Sequence, residues 1–244
     1  VLKPTVCTYI GVTPTGTVLT QSQGSGGHVS ASGTVTVKND VSGNANVTGL
    51  SFAAGSAGSL NGTVALALNF VKGYAAINKG NVSAGSIAIS ALMDGDSTVT
   101  ALAGTFDGTF AMGLIIGIAY ISTDNRALID LTGSAVSATG TISVNAGRDG
   151  LAGTGAYDST ASVDVTTATV GSAAVSINVA LTINQAGNRA LVQGSSGTLS
   201  AGTLAIYAKG TSQAPTTIRG INAGGLNIAM SIAVALLKSW QEAS

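Results

Sequence analysis

The residues able to do chemistry in this sequence are few and far apart. Asp94-Gly95-Asp96, with Asp107 further along, offers hard oxygen ligands of the kind calcium prefers. The Gly-Gly-x-Gly-x-Asp nonapeptide of calcium-binding parallel helices is absent, however, and the acidic cluster does not recur elsewhere, so these read as turn aspartates. Asp164, in SVDVTT, lies in the kind of strand where polysaccharide-cleaving β-helix enzymes keep carboxylates. Such catalysis needs two or three carboxylates or a basic residue together, and Asp164 has no such neighbour in sequence. The single histidine, His28 in GSGGHVSASG, has no nearby cysteine or second histidine to complete a metal site or a triad, and reads as an exposed turn residue. Cys7 is the one cysteine, so no internal disulfide forms; TVCTYIG supplies no basic neighbour to activate it, which makes it a small buried hydrophobe.

The other acidic residues, Asp40, Asp124, Asp130, Asp149, Asp158 and Glu242, are scattered. The glycine-rich stretches GSGG and GTGAYD lack the Lys-Ser/Thr of a phosphate loop and the strand-to-helix setting of a dinucleotide site. Asn46, Asn61 and Asn81 head glycosylation sequons, which arise readily in a chain so rich in Asn, Ser and Thr. No catalytic, cofactor-binding or metal-ligating residue is assigned, and the chain is not expected to be an enzyme.

The composition points the same way. Of 244 residues only 8% are charged and 4% aromatic, against roughly 25% charged in ordinary domains, while 45% are hydrophobic. This is neither a typical enzyme nor a disordered polar tail. Ten basic and ten acidic residues cancel without forming blocks of like charge, which argues against nucleic-acid or anionic-membrane partners and leaves little repulsion between copies. No apolar run reaches the ~18 residues of a membrane-spanning helix; the closest, IAMSIAVALL (228–237), is short and alternates. The chain opens at Val1 without an initiator Met, a basic segment or a cleavage site, so any signal peptide is expected outside it.

The elements repeat. SASGTVTV (30–37), SAGSIAI (83–89), SATGTISV (137–144) and SAGTLAI (200–206) align on Gly33, Gly85, Gly140 and Gly202, spaced 52, 55 and 62 residues apart. A second register places Ala75, Ala127, Ala190 and Ala243 equivalently, in GYAAIN, NRALID, NRALVQ and the terminal QEAS, at spacings of 52, 63 and 53. The expected organisation is one repetitive domain: residues 1–17 as the tail of a preceding repeat, then repeats over 18–74, 75–126, 127–189 and 190–244. Val18-Leu19-Thr20-Gln21 begins the first as Ala190-Leu191-Val192-Gln193 begins the last.

Each repeat carries one long alternating stretch. In AVSINVALTINQ, Val175, Ile177, Val179, Leu181 and Ile183 are large, whereas Ala174, Ser176, Asn178, Ala180 and Thr182 are small. NGTVALALNFVKG (61–73), FAMGLIIGIAYI (110–121) and GGLNIAMSIAVALL (224–237) alternate likewise. Period two means strand. The bulky face is expected to fill a core, and the small face to lie outward or between packed sheets, where a second layer can approach closely. Shorter strands such as TVTV, STVTAL, TISVNA, ASVDVTTATV and TLAIYA are separated by Gly-Ser, Asn-Asp, Asp-Gly and Gly-Gly turns, and no helix is expected. Two all-β architectures fit, a β-solenoid with two or three coils per repeat and a propeller with one blade per repeat; the missing aromatic and charged blade signatures favour the solenoid.

The unit SAAVSINVALTINQAGNRALV (172–192), followed by a short polar turn and SAGTLAIYA (200–208), resembles the repeats of very large exported bacterial proteins: filamentous-haemagglutinin-like and leukotoxin-type adhesins, exoproteins of the two-partner-secretion kind. The resemblance runs from Val18 to Ser244 and rests on pattern. It implies a shaft that is a right-handed parallel β-helix, export across a bacterial envelope, and a place outside the cell or on its surface. It carries over no catalytic residue and no cofactor. Those shafts often read more polar than this chain, which leaves an adhesin and a dedicated structural filament both open.

The expected function is therefore a structural or adhesive segment of an extracellular filament, without a membrane-spanning segment. TVCTYIGV and SIAVALLKSW, near the two ends, are apolar and uncapped, so self-association is expected head to tail and laterally, with a host or neighbouring cell surface as a further partner. The alternative is a binding module that uses a flat Thr/Ser/Ala-rich face for a glycan or an ice surface. TVTV, STVT, TTAT and TGT supply threonines for it, but some repeats put alanine in the same ranks. A polysaccharide-active enzyme stands third.

Overall fold

A computed structural model describes residues 1–11, 27–147 and 158–244 of the chain. The repeat start at 18–21, Asp149, and most of GSGG and GTGAYD lie outside the described residues. Among the described residues every regular element is a strand. β1 (Thr5–Gly11) precedes a first coil of β2 (His28–Ser30), β3 (Thr34–Gly55) and β4 (Ser59–Asn78). The second coil is β5 (Asn81–Ala84), β6 (Ser86–Asp107) and β7 (Phe110–Asp130); the third is β8 (Ala135–Ala146), β9 (Asp158–Val170) and β10 (Ala173–Gln193). β11 (Thr198–Ala208), β12 (Thr211–Gln213), β13 (Thr216–Ala223) and β14 (Leu226–Ala243) make the fourth.

All pairings are parallel and join one coil to the next, which defines a β-solenoid. One sheet runs β1-β4-β7-β10-β14. The other is built from composite strands: β2, β5, β8 and β11 stack at one end, while β3, β6, β9 and the β12/β13 pair stack beyond them. Each repeat is thus a single coil, not two or three. The discrepancy comes from strand length. β3 and β6 are each 22 residues long, and the Asn39-Asp40 and Asp94-Gly95 pairs that look like turns lie inside them. In the third coil Ala146 pairs with Ala91 and Ser159 with Gly95, so most of the extra length of the longest repeat enters between Ala146 and Ser159.

The repeat glycines and alanines stack as the spacing implies. Gly85 N–H donates to the Gly33 carbonyl at 2.8 Å and Gly140 N–H to that of Gly85 at 2.8 Å, and Ala75, Ala127, Ala190 and Ala243 form one ladder row. A Cβ on Gly85 would come within 2.5 Å of the Ser32 carbonyl oxygen, so the tight crossing between β5 and β6 excludes any side chain there.

The core reverses the expectation for the long strands. In β10 the buried side chains are Ala174, Ser176, Asn178, Ala180, Thr182 and Asn184, and the large ones face outward, half-exposed. The reason is the closeness of the two sheets. Val99, Val163 and Val165 of the second sheet fill the interior, and the residues opposite them are mostly small, Ile115 and Ile121 of β7 being the large ones admitted. A Cβ added to Gly117 of β7 would lie 2.8 Å from Val163 Cγ1 and 3.0 Å from Val165 Cγ2. Buried asparagines tie the layers together. Asn69 Nδ2 donates to the carbonyls of Gly43 (2.5 Å) and Asp96 (2.9 Å), and Asn184 Nδ2 to those of Ser159 (2.7 Å) and Gln213 (2.9 Å), each bond contributing about 1 kcal/mol. Toward the other end of the strands the interior widens, and Ile77, Ile87, Ile89, Ile129, Ile142 and Val144 pack as an aliphatic cluster.

Candidate interaction surface

The residues singled out for chemistry do not converge. Asp94 and Asp96 point outward from β6, and Asp107 ends that strand about 36 Å from Asp96 at ~3.3 Å per residue. Asp107 instead organises the turn between sheets. Its carboxylate accepts the N–H of Thr109 (2.7 Å), of Phe110 (3.2 Å) and of Gly58 on the preceding coil (3.0 Å), and the Thr109 bonds together with those others hold it below the ordinary carboxylate range. Among the described residues no group of three or more His, Cys, Asp or Glu side chains is placed to hold a metal ion. His28 opens the short strand β2 opposite Asn81 and is exposed there, on a strand and not in a turn. Cys7 is half-buried on β1, and burial raises its thiol to about 11, far from a reactive thiolate.

Two charged partnerships were hidden by distance in sequence. Asp164 is held bidentately by Arg219 Nη1, at 2.9 and 2.8 Å, across adjacent strands of the outer second sheet. Asp94 faces Asp158 one coil on; burial, then the hydrogen bond and charge of Asp158, then Asp96 and Asp40, raise its pKa. The repeat supplies the missing signal, because a residue one repeat further on lies one strand over.

A shallow cleft of about 240 Å³ lies on the first sheet, lined in part by Tyr74, Asn78, Arg126, Leu128, Asp130 and Gln193. Tyr74, Arg126 and Asp130 are already engaged. Asp124 accepts from Arg126 Nε (2.9 Å) and Nη2 (2.6 Å) and from the Tyr74 hydroxyl (3.3 Å), the Arg126 guanidinium lies 5.3 Å from the Tyr74 ring centroid, and Asp130 accepts the Thr132 N–H at 2.9 Å. This arrangement locks the Arg126 side chain in place against Asp124 and Tyr74.

What the fold does bring together is an apolar plane. On the outer face of the first sheet the parallel register lines up Leu60, Met112, Val175 and Ile228 in one row. Four more rows follow at every second residue, from Gly62-Leu114-Ile177-Met230 through Val64-Ile116-Val179-Ile232 and Leu66-Ile118-Leu181-Val234 to Leu68-Tyr120-Ile183-Leu236. Leu60 is 74% exposed, Val64 71% and Ile228 51%. The five rows contain no charge. Tyr120 in the last of them packs against Phe70 of the next row (centroids 5.2 Å apart), and charged groups begin there, with Lys238 in the Phe70 row and then Lys72 and Asp124 beside Trp240. The outer second sheet is polar over much of its length, with the row Thr48-Thr100-Asp164-Thr217 at its middle.

The ends of the coil stack present unpaired backbone. Among the described residues, β14 at one end pairs only with β10, so one edge of an 18-residue strand has no partner strand; at the other end β3 pairs only with β6, and β1 covers only the C-terminal part of β4. No helix among the described residues is long and apolar enough to cross a membrane. Compared with known proteins, the chain matches no family model, no curated protein and no solved structure.

Proposed function

We propose that this chain is a shaft segment of an extracellular or cell-surface fibre, structural or adhesive in role, as in the filamentous-haemagglutinin-like adhesins that its repeats resemble. The observation that carries this reading is the open edge at each end of the coil stack. Among the described residues, β14 and β3 offer long edges with no partner strand, in parallel register, and a further coil of the same kind, from the same polypeptide or another copy, satisfies them. Neutral charge and the scarcity of ionisable groups favour such stacking over repulsion. A scaffold of stacked coils suits length and attachment rather than turnover.

Electron microscopy of the purified chain at micromolar concentration tests this. The expected result is filaments whose axial repeat is the ~4.8 Å spacing between strands. Single short rods at every concentration would overturn end-to-end assembly by this segment. A second reading, a glycan- or ice-binding module, draws on the Thr and Ser rows of the outer second sheet, although the Asp164–Arg219 pair interrupts the threonine rank.

A further inference from the structure

The apolar plane of the first sheet needs a cover, and we infer that its occupant is the same plane of a second copy, so that two solenoids lie side by side, sheet against sheet. Five rows over four strands measure about 27 Å by 14 Å between backbone positions, or on the order of 600–800 Å² once side chains are included. That is at or above the largest apolar patch on a typical monomer, ~300–600 Å², and close to the ~800 Å² that each partner buries in a standard interface. The area is thus what a stable dimer requires.

Shape and charge select the arrangement. A two-fold axis along the coil-stacking direction sets the strands antiparallel across the interface and keeps both solenoids pointing the same way. The row Val64-Ile116-Val179-Ile232 then meets itself, and the Leu60 row meets the Leu68 row. Lys72, Asp124, Arg126 and Arg189 overhang into water beyond the partner's turns, and Lys238, one row past the Leu68 row on the edge strand β14, meets Leu226 of the partner subunit at the rim, so the centre of the interface carries no charge. A two-fold axis along the strands would instead carry the charged half of each sheet into the interface and set Arg126 opposite the other copy's Arg189, like charge against like. A lipid surface is the less fitting occupant. Lys72, Lys238, Arg126 and Arg189 stand at one end of the strands and do not ring the patch, and Arg126 is tied to Asp124.

This pairing is lateral and does not depend on end-to-end stacking. Its test is thiol cross-linking of the full chain with Cys7→Ser and Ile116→Cys, using a short bis-maleimide at micromolar protein. Ile116 faces outward, so the fold tolerates the change, and far-UV circular dichroism checks that it does. The expected result is a covalent dimer from Ile116→Cys and none from a matched Thr100→Cys on the outer second sheet. Ile116→Lys should halve the mass of the smallest species in sedimentation. No dimer, or equal cross-linking at both positions, overturns the pairing. So does flotation of the uncross-linked chain with neutral phosphatidylcholine vesicles, which would assign the plane to lipid. Filaments one solenoid wide, with no Ile116→Cys dimer, would sink the pairing and spare the fibre; dimers without filaments would do the reverse.

Discussion

Gly117 sets the thickness of the molecule. Its missing side chain is what lets β7 lie against Val163 and Val165 of the opposite sheet. Gly117→Val should therefore destabilise the fold by about 1–3 kcal/mol through overpacking. Ile116→Val, one residue away but facing outward, should change urea unfolding of the dispersed chain by less than about 1 kcal/mol. Equal effects at the two positions would refute the inward and outward assignment. A different residue governs response to pH. Burial and the carboxylate of Asp158 raise the pKa of Asp94, so the native chain holds a proton there that the unfolded chain has already released. The stability from that protonated pair is present at acid pH and is lost as pH rises through the raised native pKa. Asp94→Asn should accordingly be more stable than the parent at pH 7, with the advantage shrinking toward pH 4, as thermal unfolding at both values would show. Neither site is legible from neighbours in sequence: Gly117 meets residues of the following coil, and Asp94 meets Asp158 across an insertion.

At the scale of the element, protection from exchange should follow position in the stack. β7 is bonded on both edges, to β4 and β10, whereas β14 is bonded on one. In hydrogen–deuterium exchange of the dispersed chain, the β7 amides should be the slower and the outward-directed β14 amides the faster; in fibres β14 should become protected. Uniform exchange across both strands would contradict a stack that frays from its end. The strands themselves were plain in the sequence. Alternation in AVSINVALTINQ dictates a strand, and the shared glycine and alanine positions dictate its register with the other coils. The choice of buried face was not. A row of valine and isoleucine looks like a core wherever it occurs, and only the valines of the opposite sheet, a coil's width away, decide that the small face is the one enclosed. The interior Asp94-Gly95 and Asn39-Asp40 pairs misled for a related reason, since ladder pairing on both sides overrides their local preference for turns.

At the scale of the whole molecule, one coil per repeat makes the chain a ladder whose hydrogen bonds all run along its length. A pull along that length loads every bond of a coil junction at once, and the junctions in series, so the structure is as strong as its poorest junction. Between the first and second coils the 22-residue β3 lies on β6 without interruption and the 20-residue β4 lies on β7. Between the third and fourth, β14 still lies on β10, but the second sheet contributes three separate pieces, β11, β12 and β13, with a register shift between Ala201 and Thr203. Between the second and third the second sheet is likewise split, β5 and β6 on β8 and β6 on β9, so under tension the column would part first beyond the second coil, leaving the first two coils joined.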